Sequence, residues 1–496
     1  MPPQVPGPGR GVDEPAAEQV IEATPGPALT PPRADAPSGP LLPLIIGSAL
    51  FMQNLDSTAI ANALPTMARS LHQEPLVLNL AITTYLLATA VFLPISGWVA
   101  DRFGAKTVFQ CAMVGFALSS LACGLSQTLW QIIAARALQG MAGALMAPVG
   151  RLVLLRSVPK SELVRAMSYL TMPALLGPVL GPPIGGFIVT FLSWRWIFYF
   201  NLPISLLGVL LTARFMPNLR EVQVRRLDVA GFLLSGLALA GLVFGFENVG
   251  RSAAPAPVVV GLLAGGALCA GLYWAHFRRT AHAILDLSLL RIPTFRAATV
   301  GGFFYRLING ASPFLMALLL QLGFGLSAFQ AGMLTFTSAA GALVMKVTAG
   351  PILRVLGFRR VLVGNAVLTA AIFAGYAAFT AHTPHWLVVV VLLTGGFFRS
   401  LQFTSLNALA YADVSHEAMS RASTFAGVAQ QLAESLGVGA AALMIRLVVG
   451  VRHSGDLTAA DISPAFVAIA ALTLFSLFYL IPLDPAAGDE VSRRRR

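Results

Sequence analysis

Gly97-Trp98-Val99-Ala100-Asp101-Arg102-Phe103-Gly104-Ala105-Lys106 is a charged elbow between two apolar runs, and it recurs in the second half of the chain. The second copy, Gly350-Pro351-Ile352-Leu353-Arg354-Val355-Leu356-Gly357-Phe358-Arg359, keeps both glycines and the basic residue at the end. A chain that repeats such an elbow is built from two related helical bundles, and paired bundles of this kind usually move something between them.

The rest of the sequence fits that reading. Of its 496 residues, 56% are hydrophobic and only 11% charged, and the mean hydropathy is +0.76, far outside the range of water-soluble domains. Apolar runs of roughly 20 residues, long enough to cross a hydrocarbon core, alternate with clusters of charge. Fourteen such spans are predicted, at Leu42–Leu64, Leu76–Ala100, Thr107–Leu125, Leu129–Gly150, Ala166–Phe191, Trp196–Phe215, Val229–Asn248, Val258–Ala275, Ala297–Leu322, Ala331–Leu353, Val361–Thr380, Trp386–Tyr411, Ala422–Val448 and Pro464–Ile481. The expected fold is therefore an all-α membrane protein.

Basic residues set the orientation, because cytoplasmic loops carry an excess of Lys and Arg. With both termini inside, only Arg69, Arg195, Arg251, Arg446 and Arg452 of the 33 basic residues fall outside, and Arg136, Arg306, Lys346 and Arg399 fall within spans. The net charge of +12 is thus mostly topological and gives no reason to expect nucleic acid as a partner. Residues 1–41 are rich in Pro, Ala and Gly, cannot bury a core, and read as a disordered tail without the features of a cleaved signal. Cys111, Cys123 and Cys269 sit inside spans as small apolar residues, so no disulfide, metal or cofactor is expected.

Aligning the two elbows sets span 2 against span 10 and span 4 against span 12. Span 4 then carries Arg136-Ala137-Leu138-Gln139 where span 12 carries Arg399-Ser400-Leu401-Gln402, a match the alignment did not use. The predicted organisation is a six-helix bundle over 42–217, an inserted pair of helices over 218–280, a second six-helix bundle over 281–483, and a basic tail over 484–496.

Two further stretches complete a set of four motifs: Leu55-Asp56-Ser57-Thr58-Ala59-Ile60-Ala61-Asn62-Ala63-Leu64-Pro65 in span 1 and Gly177-Pro178-Val179-Leu180-Gly181-Pro182-Pro183-Ile184-Gly185-Gly186 in span 5. Together with the first elbow and Arg136–Gly140, in this order and spacing, they make the chain resemble the fourteen-helix drug:proton antiporter branch of the major facilitator superfamily over residues 42–483. The resemblance implies two bundles rocking about a central site, with inward proton flow driving a lipophilic small molecule outward. It also implies that Arg136 lines the central cavity and takes part in proton coupling, and that the span 5 motif seals the protein against leak. Position 105 is Ala where the family often has a basic residue, and Arg354 stands where the first elbow has Asp101.

The residues themselves support particular roles. Asp56 lies about two thirds of the way along its span, at about 1.5 Å per residue. A carboxylate there costs roughly 2.5–3.5 kcal/mol to insert, so it should face the interior and find a partner or a proton. Arg136 has a similar depth, and a guanidinium can hold a carboxylate through parallel hydrogen bonds. Glu434, the other mid-span acid, has three open readings: a partner for Arg399, a second proton carrier, or a determinant for cationic substrates. Arg306, Lys346, Arg399 and Gln402 are candidates for a cavity open to anionic or zwitterionic groups, with snorkelling as the alternative for Arg306. Asp101 and Arg102, with Gly97, Gly104, Lys106, Gly350, Arg354 and Gly357, are candidates for a gating latch across the cytoplasmic mouth. In span 5, Pro178 and Pro182 disturb the helix while Gly177, Gly181, Gly185 and Gly186 permit close approach by a neighbour. Phe303, Phe304, Met316, Phe397, Phe398 and Phe403 suit a large apolar pocket, and lipid-facing or packing roles account for them equally well.

No ATP-binding motif is present, so energy has to come from a gradient or a partner. The sequence points to a non-enzymatic exporter in the inner (plasma) membrane, and leaves open an exporter of a metabolite, siderophore or lipid, a non-transporting receptor, and a periplasmic adaptor protein as partner.

Overall fold

Fourteen helices long and apolar enough to cross a membrane are present among the described residues of the computed structural model, which are 40–158, 163–220, 227–249, 255–280, 283–415, 418–452 and 457–488. They are α1 (Leu41–Ser70), α2 (Pro75–Phe103), α3 (Ala105–Leu125), α4 (Leu129–Ser157), α5 (Leu163–Phe191), α6 (Trp196–Phe215) and α7 (Val229–Glu247). The rest are α8 (Ala256–Arg279), α9 (Pro293–Gly323), α10 (Ala328–Leu356), α11 (Phe358–Ala378), α12 (His385–Ala410), α13 (Met419–Arg452) and α14 (Ala459–Leu480). No strand occurs among the described residues. Nearly all of the expected tail over 1–41, and residues 489–496 of the basic tail, lie outside them.

Side chains that replace missing backbone partners set several helix starts. Thr128 and Gln131 form a reciprocal capping box at α4, Ser327 and Gln330 do the same at α10, and Asp228 accepts from Gly231 N at α7. An even number of spans returns the chain to its starting face, so the N-terminal end of α1 and the C-terminal end of α14 share one face of the bundle.

The elbows differ from the expectation. Gly97–Phe103 is helical and forms the last part of α2, beyond a 3-10 break at Leu93–Ile95 where Pro94 lacks a donor. The turn is a single residue, Gly104, at φ +92°. The second copy behaves alike: α10 runs on to Leu356 and turns at Gly357, φ +76°. Both conformations favour glycine because a Cβ strains them.

Within the first six helices α1 packs along α5, and α4 against α2 and α3; within the last six α10 packs along α12 and α13 along α9. The two groups meet where α5 faces α10 and α2 faces α13. Helices α7 and α8 pack on each other and reach the rest chiefly through α2 and α13, leaving most of their surface exposed. One seam between the groups lies toward the face opposite the termini. There Gln321 Nε2 donates to Asn62 O at 2.9 Å, Phe329 N donates to Thr190 Oγ1 at 2.9 Å, and the rings of Phe187 and Phe191 sit edge-on to Phe329.

Candidate functional site

A closed polar node lies inside the first six helices. Asp56 on α1 and Arg136 on α4 are both fully buried, and Arg136 Nη1 donates to Asp56 Oδ2 at 2.6 Å. The other carboxylate oxygen accepts from Asn201 Nδ2 of α6 at 2.8 Å and from Gln139 Nε2 of α4 at 3.2 Å. Ser120 Oγ of α3 accepts from the same two amides at 3.2 and 2.8 Å. Arg136 also donates through Nε to Ala81 O at 3.0 Å, and its guanidinium lies 4.2 Å from the centroid of the Tyr85 ring. Five helices therefore hold one ion pair, and hydrogen bonds of this kind help charge persist in a dry interior.

The node does not line the central cavity, contrary to what the family resemblance implied for Arg136. That cavity, of about 290 Å³, lies between the two groups of helices, and its wall is reached from α1 by Thr58, Ala61 and Asn62, the turns just beyond Asp56. Pro178, Val179 and Pro182 of α5 complete the wall on this side. Opposite stand Asn309, Ser312, Pro313 and Met316 of α9, Lys346 of α10, and Arg399, Ser400 and Phe403 of α12, among others. Lys346, on the part of α10 nearer the termini, is exposed, as is Met172 on the corresponding part of α5. The cavity thus opens toward the face that carries the termini and is closed at the opposite seam.

Two of the four expected cavity residues reach this wall. Arg399 donates to Ser312 Oγ at 2.7 Å and Ser338 Oγ at 3.2 Å, and Lys346 Nζ donates to Thr404 Oγ1 at 2.9 Å. Gln402 is turned away: it is fully buried, donates to Leu362 O at 3.0 Å and accepts from Asn365 Nδ2 at 2.9 Å, joining α12 to α11. Arg306 neither snorkels nor faces the cavity. It is 2% exposed, donates to Ala298 O and Asn407 Oδ1, and lies over the Phe403 ring. Of the aromatic and methionine candidates, Met316 and Phe403 line the cavity; Phe303, Phe304, Phe397 and Phe398 do not.

Among the described residues no ion pair joins Glu434 and Arg399, a pairing that is one of the three open readings of Glu434. Glu434 Oε1 accepts from Gln430 Nε2 at 3.2 Å on its own helix, and the backbone of α13 at Glu434 lies so close to α9 that a Cβ at Gly310 would overlap it.

Glycines of α5 press it against α1. A Cβ at Gly177 would meet Asn54 Cβ at 2.7 Å, one at Gly181 would overlap Thr58 Oγ1, and one at Gly185 would meet Ala59 Cα at 2.9 Å. Gly186 faces the other way and would overlap the backbone of Ala328 on α10. Pro173, Pro178, Pro182 and Pro183 all lie inside α5. One helix therefore lines the cavity, abuts α1 and forms part of the closed seam.

At each elbow one basic residue bonds within its own group of helices. Lys106 Nζ donates to Ala213 O of α6 at 2.6 Å, and Arg359 Nε donates to Ile481 O just past α14 at 3.0 Å, two equivalent contacts in the two halves. Arg102 and Arg354 are exposed, and among the described residues neither bridges the halves. Gly97 has open space around it, and the surroundings of Gly350 lie outside the described residues.

Sequence reasoning missed Asn201, Ser120 and Tyr85 of the node, and a buried acid at the edge of the bundle. Glu247, at the end of α7, is 1% exposed; its Oε2 accepts from Asn79 Nδ2 of α2 at 3.0 Å, and its Oε1 fills the space where Gly439 of α13 lacks a side chain. Its position at a span end reads as interfacial, and only Gly439 hinted at the recess.

A sequence model of the Major Facilitator Superfamily matches residues 46–246 and 298–496. The MdtD proteins of Salmonella typhimurium (strain LT2) and Salmonella typhi, named provisionally for multidrug resistance, are each 35% identical over 457 residues, covering 91% of this chain and 97% of theirs. Among solved structures, the POT family transporter PepTSo is similar with a TM-score of 0.67 at 12% identity, covering 92% of this chain and 99% of its own. A D-xylose-proton symporter is similar with a TM-score of 0.65 at 14% identity, covering 90% and 98%. These two likenesses concern the fold.

Proposed function

The chain belongs to the Major Facilitator Superfamily, and from that premise we propose that it is a proton-coupled exporter of lipophilic small molecules, working by alternating access. It is an integral membrane protein; the excess of basic residues on the face of the termini supports a cytoplasmic location for both ends in the plasma (inner) membrane.

The observation that carries the reading is the buried Asp56–Arg136 pair on a helix that also lines the cavity two residues further on. The carboxylate, sealed from water, is held by Arg136, Asn201 and Gln139. Should solvent reach it, a proton on Asp56 cancels the attraction for Arg136 and loosens the grip between α1 and α4. Because α1 packs along α5, and α5 forms part of the seam with α10, that loosening has a route to the closed end. Protonation at one face and release at the other then exchanges a proton for a cargo molecule. Glu434 is proposed as a second proton carrier, the α5 glycine face as the seal, and the elbows as a latch that engages when the mouth closes. The provisional multidrug-resistance name of the MdtD relatives supports a lipophilic cargo.

The test is transport by the purified protein in liposomes under an imposed pH gradient, with ethidium and taurocholate as probes. Wild type should accumulate a probe only with the gradient, and Asp56→Asn should lose that accumulation. Equal gradient-driven accumulation in both proteins would remove Asp56 from the mechanism.

A further inference from the structure

The charge on the cavity wall is one-sided. Lys346 and Arg399 line it, and among the described residues no Asp or Glu does. The mid-span acids Asp56 and Glu434 are engaged elsewhere, the first by Arg136 inside the first group of helices and the second by Gln430 on its own helix. Around the two cations the partners are neutral hydroxyls, those of Ser312 and Ser338 for Arg399 and of Thr404 for Lys346. These contacts satisfy hydrogen bonds without cancelling charge. Helix α9, the counterpart of α1 in the last six helices, carries no acid at all, so that half has no equivalent of Asp56 on it.

The two cations line one cavity from neighbouring helices, Lys346 from α10 with its Nζ on Thr404 Oγ1 of α12, and Arg399 from α12 itself. A guanidinium is suited to bind a carboxylate, sulfonate or phosphate ester through two parallel bonds, and a second cation on the same wall adds to the attraction. Beyond the cations the wall turns apolar through Val179, Met316 and Leu392. A field of one sign in a low-dielectric cleft attracts anions and repels cations.

We propose that the cavity is built for amphipathic organic anions, the anionic group held between Lys346 and Arg399 on the α10–α12 wall and the apolar body lying toward α5 and α9. This rests on the exporter reading for its transport role, while the binding site stands on the cavity alone. Lys346 and Arg399 are then specificity-determining residues, and a lipophilic cation is a poor ligand.

The experiment measures equilibrium binding of taurocholate, an amphipathic sulfonate, and of ethidium, an amphipathic cation, to the full chain in lipid nanodiscs. Saturable taurocholate binding is expected, about tenfold weaker in Lys346→Gln and in Arg399→Gln, and largely retained in Arg399→Lys, which keeps the charge and guards against a folding artefact. Absence of saturable taurocholate binding, taurocholate affinity unchanged in both glutamine variants, or ethidium binding more tightly than taurocholate to wild type overturns the proposal. Taurocholate bound through Arg399 yet not moved by a pH gradient in liposomes keeps the anion site and removes the exporter reading. Gradient-driven movement of ethidium with no taurocholate binding does the reverse.

Discussion

Arg136 Nη1 and Asp56 Oδ2 stand 2.6 Å apart with both side chains fully buried, and amides from two helices complete the carboxylate's bonds. Removing one member of such a pair leaves a charge with nothing to answer it, at a cost of about 3–5 kcal/mol, whereas removing both is milder. Arg136→Gln should therefore lower the thermal stability of the purified protein more than the Asp56→Asn, Arg136→Gln double variant does. Thermal unfolding in detergent measures this, and a double variant less stable than Arg136→Gln would contradict it.

Gly185 and Gly97 belong to different motifs and should respond differently. A Cβ at Gly185 meets Ala59 Cα at 2.9 Å, while one at Gly97 meets nothing within 4 Å. Gly185→Val should force α1 and α5 apart and lower stability by about 1–3 kcal/mol, the range for overpacking. Gly97→Ala should leave stability within about 0.5 kcal/mol, as for substitutions in open space. If the same Gly97→Ala protein loses transport, the glycine is needed in the conformation with the mouth closed. Unfolding curves and flux measured on the same preparations separate the two effects.

Glu247 ties a peripheral helix into the contact between α2 and α13. Truncating it to Ala strips Asn79 Nδ2 of a buried acceptor, a loss of about 1–3 kcal/mol, and opens a gap beside Gly439. Glu247→Gln keeps an acceptor oxygen and should recover part of the loss. The comparison is made by thermal unfolding, and equal stability of wild type and Glu247→Ala would show that α7 is held by other contacts.

Arg306 and Arg399 are both cations at membrane depth, but only Arg399 reaches the cavity. Arg306→Met should lower stability, because Asn407 Oδ1 and Ala298 O lose their donor, without changing the order in which different ligands compete for the site. Competition curves against bound taurocholate measure that order, and a reordered series would place Arg306 in recognition.

The number of spans and their approximate limits, and the elbow pair, were legible because each depends on composition or periodicity along one helix. The Arg-x-x-Gln repeat was legible too, yet its members diverge in use. Gln139 joins the Asp56 node while Gln402 binds α11, and Arg399 meets serines where Arg136 meets an acid. Which face a side chain presents is set by neighbouring helices, and depth along a span carries no information about it. The same limit applies to Glu434, whose carboxylate meets Gln430 on its own helix, and to Arg306, held inside the protein by Asn407 and Ala298. Asn201 and Glu247 escaped notice because each lies at a helix end, where polar residues are ordinary.

The single-residue turns at Gly104 and Gly357 leave no slack between α2 and α3 or between α10 and α11, and Lys106 and Arg359 pin each corner to the last helix of its own half. Each corner is a fixed bracket. Any travel that carries the cleft from one face of the membrane to the other has to be taken up by elements already broken along their length, the 3-10 step at Leu93–Ile95 and the proline-studded α5. Stiffening α5, by replacing Pro178 with a strong helix former, would then slow the swing between faces while leaving the brackets and the resting architecture as they are.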